Sequence, residues 1–207
     1  MDRRAFLGTM AGVFTSDLLL ARDGDLSALT HQEVTQIVYE LLFAGHETTT
    51  GLIGNAARRL LMERHAWEEI CGNPALIPNA IEEVLRFDSS VIAWRRRTTQ
   101  AVEIGGVSVP ADANVLLLLG SANRDPAVFE NPDHFDIHRR NAKEHLSLGY
   151  GAHYCLGAPL ARLEALVVLE ELSARLLSLR LVPGQTLRVQ PNTTFRDPLS
   201  LLVEWDT

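Results

Sequence analysis

The sequence predicts a mainly α-helical protein with minor β structure, organised around one long central helix. Three observations support this fold class. A helical apolar period begins after Thr30 and continues for longer than in an ordinary surface helix. Strand-like alternation is confined to a short segment around Gly105-Gly106. A glycine-rich loop that contains Cys155 is followed directly by a second apolar helical pattern.

The central helix has a defined start and an unusual middle. Thr30 followed three residues later by Glu33 is a capping-box pattern, which marks a helix N-terminus. The apolar period then predicts a helix of ~35 residues, or ~50 Å at the rise of an α-helix. Helix propensity disfavours the glycine and β-branched residues in its middle, so something other than propensity places them there. These residues form the stretch Ala44-Gly45-His46-Glu47-Thr48-Thr49-Thr50-Gly51.

Two short elements follow the central helix. A second helix begins near Pro78 and carries Ile81, Val84 and Leu85 on one apolar face. Valine and isoleucine then alternate with polar residues on both sides of Gly105-Gly106. Alternation interrupted by a glycine pair predicts a small β-hairpin.

The last third of the chain is predicted to alternate between loops and helices. Asp125-Pro126 is typical of an N-cap and first helical residue, so a short helix is expected there. Residues 131–147 form a polar loop that is long enough to have a function. A strongly amphipathic helix is predicted from about residue 156 to 179, and short strands are expected after Pro183-Gly184.

Composition excludes several classes of protein. The chain has 207 residues, 46% hydrophobic content and a formal net charge of -7, which argues against a generic nucleic-acid binder. Cys71 and Cys155 lie far apart without a CxxC spacing, so neither a disulfide framework nor a zinc ribbon is indicated. No segment approaches the ~20 apolar residues of a membrane span.

The first residues leave two locations open. The stretch 1–8 contains Arg3-Arg4 followed by Phe6-Leu7, and it resembles a twin-arginine export signal. The apolar region after it is short and no convincing cleavage site closes it. A cytoplasmic protein is therefore the preferred prediction, and export is the alternative.

Cys155 is the residue that most strongly suggests chemistry. It stands just before a predicted helix, where free backbone N–H groups and the helix dipole favour a thiolate. Gly149, Gly151 and Gly157 surround it, and glycines allow the backbone to approach a flat ligand closely. The alternatives are a small buried hydrophobe, or a metal site that combines Cys155 with His153, His145 or His138.

Three sequence blocks resemble the cytochromes P450 of the soluble bacterial type. The loop Leu148-Gly149-Tyr150-Gly151-Ala152-His153-Tyr154-Cys155-Leu156-Gly157 matches the family pattern Phe-Gly-x-Gly-x-His-x-Cys-x-Gly, except that Leu148 replaces phenylalanine. The stretch Ala44-Gly45-His46-Glu47-Thr48 is similar to the oxygen-activating segment of the family. Glu83 and Arg86 match its Glu-x-x-Arg helix, although such a pair alone is usually a surface ion pair.

The resemblance implies a role for each of these residues. Cys155 becomes the thiolate ligand of a haem b iron, with Gly149 and Gly151 shaping its loop. His153 and Arg96 are expected at the two propionates, although Arg95 and Arg97 make that register uncertain. Residues Ala44 and Gly45 would lie over the haem, and Glu47 and Thr48 would relay protons during oxygen activation.

A structural triad is also implied. In the family, the Glu-x-x-Arg pair is joined by a third residue from a Pro-x-Arg-Phe-like step. Here that step reads Pro132-Asp133-His134-Phe135, so His134 is expected to take the place of the arginine.

The resemblance covers residues 17–207 and leaves 1–16 as a divergent N-terminal segment, so the chain corresponds to the C-terminal half of the family fold. It implies a haem-dependent monooxygenase that acts on a small apolar organic substrate. A ferredoxin and ferredoxin reductase would donate electrons at a basic patch of Arg139, Arg140 and Lys143. The alternative is a truncated, catalytically silent haem-binding remnant, unless a separate chain supplies the N-terminal half.

Overall fold

The computed structural model describes residues 30–206, so the export-like stretch and the divergent segment 1–16 lie outside the described residues. The described residues fall into two units, of which the first ends at Glu47 and the second begins at Thr48. In the part of the chain that is described, no helix is both long enough and apolar enough to cross a membrane.

The predicted central helix is confirmed as α1, which spans His31–Met62 and has 32 residues. Its capping box forms as expected: the Glu33 backbone N–H donates to Thr30 Oγ1 (3.2 Å), and the Thr30 N–H donates to Glu33 Oε2 (2.6 Å). The Thr30 backbone N–H and the Thr30 hydroxyl both donate to the Glu33 carboxylate and lower its pKa. The helix is continuous through the glycine- and threonine-rich middle, despite its poor propensity.

The remaining elements agree with the predicted class, mainly α with minor β. After α1, the described residues form the α-helices α2 Arg64–Gly72, α3 Ile77–Phe87, α4 Leu119–Ala122 and α5 Ala158–Arg175. The predicted second helix is present as α3, and the short α2 before it was not predicted. Short 3₁₀ helices occupy Pro74–Leu76, Ala142–Glu144 and Gly151–His153.

Six short strands form three antiparallel pairs in the described residues. The predicted hairpin is confirmed as β2 (Val102–Ile104) paired with β3 (Val107–Val109). Its turn residues Gly105 and Gly106 have φ of 58° and 79°, the left-handed conformation that a tight hairpin turn requires. The other pairs are β1 (Trp94–Arg97) with β4 (Asn114–Leu117), and β5 (Arg180–Leu181) with β6 (Val203–Glu204).

The prediction of a short helix at Asp125-Pro126 is wrong. Asp125 caps a single turn, in which its carboxylate accepts from the Ala127 N–H and its carbonyl from the Phe129 N–H, both at 2.8 Å. The chain leaves this turn at Asn131, whose φ of 45° is incompatible with a continuing α-helix. The short helix lies earlier in the sequence, as α4.

The last helix is shorter than predicted, and the residues that it buries are not the predicted apolar ones. It runs over Ala158–Arg175 rather than 156–179, with Pro159 in its first turn. A single buried apolar stripe was expected, but Leu160, Leu163 and Val167 are exposed. The helix instead buries a face of mostly small side chains and one leucine, namely Ala158, Ala165, Leu169 and Ser173.

The core of the second unit lies between the C-terminal part of α1 and helices α2, α3 and α5. Trp67 is fully buried there, and its indole N–H donates to the Leu177 carbonyl at 3.2 Å. Cys71 packs against the same core, as expected for a structural cysteine, and burial raises the pKa of its thiol. Almost the whole of α3 is buried, including Glu82, Glu83 and Arg86.

Within the second unit, the C-terminal part of α1 contacts two loops. The Asn55 amide donates to the carbonyls of Asp88 (2.9 Å) and Arg196 (3.0 Å). One turn earlier, a Cβ added at Gly51 would lie 3.0 Å from Asp197 Cβ and 3.1 Å from Ser90 Oγ. The absence of a side chain at Gly51 therefore permits this close approach.

Replacing Gly51 by alanine is expected to lower the free energy of unfolding by about 2 kcal/mol, because the added methyl group overpacks this contact. Urea unfolding followed by tryptophan fluorescence measures the change. Gly72→Ala is the matched control, since a Cβ at Gly72 would meet no atom within 4 Å. Equal stability of the two variants would contradict the close contact.

Candidate functional site

The loop that carries Cys155 is a closed backbone turn. The Cys155 N–H donates to the Leu148 carbonyl at 2.8 Å, and the Tyr154 N–H donates to the Gly151 carbonyl at 3.0 Å. Gly149 and Gly151 take positive φ values of 76° and 67°. A Cβ at Gly149 would lie 3.0 Å from the His153 carbonyl oxygen, so this position requires glycine.

The Cys155 side chain is exposed immediately before α5. The Ala158 N–H donates to the Cys155 carbonyl at 3.2 Å, which joins the loop to the first turn of the helix. This rules out the small buried hydrophobe, since the thiol is accessible. Cys155 therefore stands at the N-terminal end of α5, three residues before Ala158, the first residue of the helix.

The surroundings of Cys155 fit a haem. The exposed aliphatic side chains of Leu156 and Leu160 lie close to it in sequence, at 88% and 58% exposure. The glycine loop presents backbone without side chains, which suits close approach by a flat apolar group. Within residues 30–206, no cluster of three or more His, Cys, Asp or Glu is placed to hold a bare metal ion.

Two histidines that the metal alternative required face carboxylates instead. The His145 Nε2 atom lies 3.1 Å from Glu82 Oε2 and is buried. The His138 Nε2 atom lies 2.7 Å from Glu69 Oε1. Neither ring joins Cys155, so the structure does not support a small metal site built from these residues.

The two residues expected at the propionates lie on different elements. His153 ends the 3₁₀ helix within the loop and is exposed. Arg96 lies in β1, where alternation places it on the opposite face from Arg95 and Arg97. Arg97 pairs with Asp112 at 2.5 Å, whereas Arg96 has no acidic partner among the described residues. Arg96 therefore remains the predicted propionate residue.

The predicted oxygen-activating segment is helical throughout. Ala44, Gly45 and Glu47 belong to the first unit, and Thr48 begins the second. A Cβ at Gly45 would meet no atom within 4 Å. Glu47 is exposed and Thr48 is half-buried.

Glu83 and Arg86 form a fully buried, bidentate ion pair. Arg86 Nε and Nη2 each donate to a different oxygen of Glu83 at 2.7 Å, and both side chains are 0% exposed. The remaining Arg86 donors reach the carbonyls of Asn123, Pro132 and His134 at 2.9 to 3.1 Å. This pair is therefore a structural anchor rather than a surface ion pair.

The prediction that His134 completes the triad is wrong. Its side chain is exposed, and only its carbonyl takes part, as an acceptor for Arg86 and Arg139. Arg139 is the third member, because its Nε donates to Glu83 Oε1 at 3.2 Å. The sequence signal was alternation: Phe135 and Ile137 are separated by a polar residue, and Arg139 takes the next position of the same pattern. All three side chains are buried. The prediction that Arg139 belongs to a docking patch is therefore also wrong, because its side chain is buried.

Replacing Arg139 by methionine is expected to destabilise the chain by about 3 kcal/mol, because the buried Glu83 loses part of its compensating charge. The neighbouring Arg140 is exposed, so Arg140→Met should change the free energy of unfolding by less than about 0.5 kcal/mol. Denaturant unfolding of both variants measures the difference. Similar small effects would show that Arg139 is not part of the triad.

Glu82 is an important residue that sequence analysis missed. Arg162 Nε and Nη2 donate to its two oxygens at 2.6 and 3.0 Å, and His145 contacts it on the other side. Burial by itself raises the pKa of this carboxyl, but hydrogen bonds from His145 and Arg162 outweigh it and lower the pKa to about 2. The available signal was two consecutive glutamates between the apolar residues Ile81 and Val84.

The chain is expected to lose stability in acid through Glu82. Because folding lowers the pKa from 4.5 to about 2, the stabilisation is complete above about pH 5 and is lost as the pH falls toward 2. The gap between the two values corresponds to roughly 3 kcal/mol. In urea unfolding at pH 7 and pH 3, Glu82→Gln should be less stable at pH 7 and should show a flatter pH dependence. The exposed Glu103→Gln should follow the unmodified chain.

A cleft of about 890 Å³ lies elsewhere in the second unit. Arg58, Arg59 and Arg124 line it, and Asp88 pairs with the first two. None of its lining residues comes from the loop 148–157. The cleft is therefore separate from the candidate site.

Fold and site together define a helical protein with an exposed cysteine in a glycine loop and a buried Glu-x-x-Arg anchor. A family model described as Cytochrome P450 matches residues 73–195. The chain belongs to the cytochrome P450 family.

Individual relatives support this assignment. The chain is 43% identical over 169 residues to 20-oxo-5-O-mycaminosyltylactone 23-monooxygenase of Streptomyces fradiae. The matched residues cover 82% of this chain and 39% of that protein. It is 43% identical over 181 residues to the biotin biosynthesis cytochrome P450 of Bacillus subtilis, covering 87% and 45%. The chain thus spans less than half the length of these curated relatives.

Solved structures agree. Cytochrome P450 CREJ in complex with (4-ethylphenyl) dihydrogen phosphate superposes with a TM-score of 0.88 and 48% identity, covering 91% of this chain and 47% of that chain. An intact type IV self-sufficient cytochrome P450 monooxygenase gives a TM-score of 0.90 and 42% identity, covering 98% and 28%. The predicted family and fold class are confirmed.

Proposed function

We propose that this chain is the haem-binding half of a haem-dependent monooxygenase, an oxidoreductase that inserts one oxygen atom of O2 into an organic substrate. The observation that carries the proposal is the exposed Cys155 thiol in a glycine loop that fits a haem. Haem b is the proposed cofactor. When bound, it supplies the reduction of O2 and the transfer of one oxygen atom to a C–H bond.

The proximal residues have distinct roles in this proposal. The Cys155 thiolate would hold the iron, and the left-handed Gly149 and Gly151 would present loop backbone without side chains to the haem. His153 and Arg96 donate to the two propionates, for which a guanidinium is well suited. The free donors of Arg96, which has no acidic partner among the described residues, support this assignment.

The residues of α1 are proposed to act on protons. Thr48 donates a hydrogen bond toward the reacting oxygen, and Glu47 exchanges protons with solvent, which its exposure permits. Ala44 and Gly45 present a small surface beside them, since neither has a bulky side chain. These roles rest on the match of this segment to the family pattern.

The proposed partners are a small apolar organic substrate, and a ferredoxin with its ferredoxin reductase as electron donors. The basic docking patch is reduced to Arg140 and Lys143, which are exposed, because Arg139 is buried against Glu83. A cytoplasmic location, where haem and reductants are supplied, is proposed with them.

A second candidate is a catalytically silent haem-binding remnant. The exposure of Leu156, Leu160 and Leu163 favours it. A haem open to water on one face would be poorly protected during oxygen activation. A separate chain that supplies the N-terminal half would restore this protection and with it the first candidate.

Carbon monoxide spectroscopy tests the cysteine ligand. The chain is reconstituted with haem, reduced and exposed to carbon monoxide, and we expect the strongly red-shifted Soret band of a thiolate-bound iron. Cys155→Ser should abolish this band completely, because the hydroxyl does not replace the thiolate. Cys71→Ala should keep it, since Cys71 packs against the core away from the loop.

The outcomes separate the candidates. A shifted band that survives in Cys155→Ser would contradict the ligand assignment. The red-shifted band in the unmodified chain, without product formation in the presence of reduced ferredoxin and oxygen, would favour the remnant. Restored turnover on addition of the N-terminal half of a relative would favour a two-chain enzyme.

A further inference from the structure

The residue beside the proposed ligand is tied to the protein core through its hydroxyl. Tyr154 precedes Cys155, and its phenol oxygen accepts a hydrogen bond from Arg162 Nη1 at 3.1 Å. The side chain is 50% exposed, so burial alone does not hold it in place. The contact with Arg162 therefore fixes the orientation of this residue.

Arg162 is itself held rigidly. It lies on α5, and its Nε and Nη2 atoms form a bidentate pair with Glu82 of α3. The Glu82 side chain is only 5% exposed. Because a planar guanidinium is fixed by two donors at once, its remaining Nη1 points in a defined direction. The position of Tyr154 is thus set by a buried carboxylate of another helix.

The entry to the loop is fixed by the same carboxylate. His145 Nδ1 accepts from the Ser147 N–H at 3.2 Å, which leaves Nε2 as the ring nitrogen that donates to Glu82. The Ser147 hydroxyl also donates to the Leu85 carbonyl at 2.5 Å. Both ends of the loop 148–154 therefore connect to Glu82, one through His145 and the other through Arg162.

We propose that Glu82, Arg162 and Tyr154 form a brace that positions Cys155 for its bond to the haem iron. The positional part of this inference stands on the geometry of the chain, whereas its effect on the iron rests on the proposed function. Tyr154 and Arg162 are positioning residues, which act through the loop and not on substrate. The brace keeps the closing bond between Cys155 N–H and Leu148 C=O intact.

Tyr154→Phe tests the brace because it removes one oxygen atom and keeps the ring. In the chain without haem, amide hydrogen exchange at Cys155 and Tyr154 should accelerate about fivefold, the factor expected for one lost hydrogen bond. Amides around the buried Trp67 should be unchanged, which separates a local effect from global destabilisation. Tyr150→Phe, at an 85% exposed tyrosine of the same loop, is the matched control.

A second variant tests the middle of the brace. Arg162→Lys keeps the positive charge beside Glu82 but loses the planar guanidinium that pairs with Glu82 through Nε and Nη2 and directs Nη1 at Tyr154, so the same acceleration is expected at Cys155. Arg175→Lys, at an exposed arginine of the same helix, is its control. Unchanged exchange at Cys155 in both Tyr154→Phe and Arg162→Lys would overturn the proposal.

The haem-loaded chain gives an independent reading. In the reduced carbon monoxide complex, Tyr154→Phe should lose its red-shifted Soret band about fivefold faster in mild urea than Tyr150→Phe. Equal decay rates would show that the brace does not position the iron ligand. If the unmodified chain takes up no haem, the proposed function fails, while the hydrogen-exchange result still decides whether the brace exists.

Discussion

Two adjacent buried carboxylates on one helix impose the constraint on which the architecture around the cysteine loop depends. Glu82 and Glu83 are 4% and 0% exposed, and a buried charge is costly unless cations and hydrogen-bond donors surround it. Their partners come from distant segments: Arg139 for Glu83, and Arg162 and His145 for Glu82. Compensation of these charges therefore brings the polar loop and the last helix to α3.

Glu82 and Glu83 bind different partners because they lie on different sides of the same helix turn. Glu83 binds Arg86, whose other donors hold the carbonyls of the loop before the cysteine segment. Glu82 faces α5 and reaches the cysteine loop through Arg162. One side fixes the long polar loop, and the other fixes the residues next to the thiol. The segments on both sides of Cys155 are consequently connected to buried charge as well as to the apolar core, against which Leu148 packs.

Local signals made much of the fold predictable. The capping box at Thr30 and the glycine pair of the hairpin each act within a few residues, and both predictions are confirmed. Arg139 and Glu82 were missed because their roles depend on partners 56 and 80 residues away. The exposed face of α5 was missed for a related reason, since periodicity shows which positions are apolar but not which are covered.

The contacts that hold the cysteine loop come from a compact part of the described structure. The described hydrogen bonds from the loop to Arg162, and from Arg162 to Glu82, lie within the second unit, as does the closing bond to Leu148. Protection of a bound haem from water is a separate requirement, because it depends on apolar cover over the exposed Leu156 and Leu160. Positioning of the ligand and enclosure of the cofactor thus depend on different contacts: the first on buried charges and backbone hydrogen bonds, the second on apolar cover.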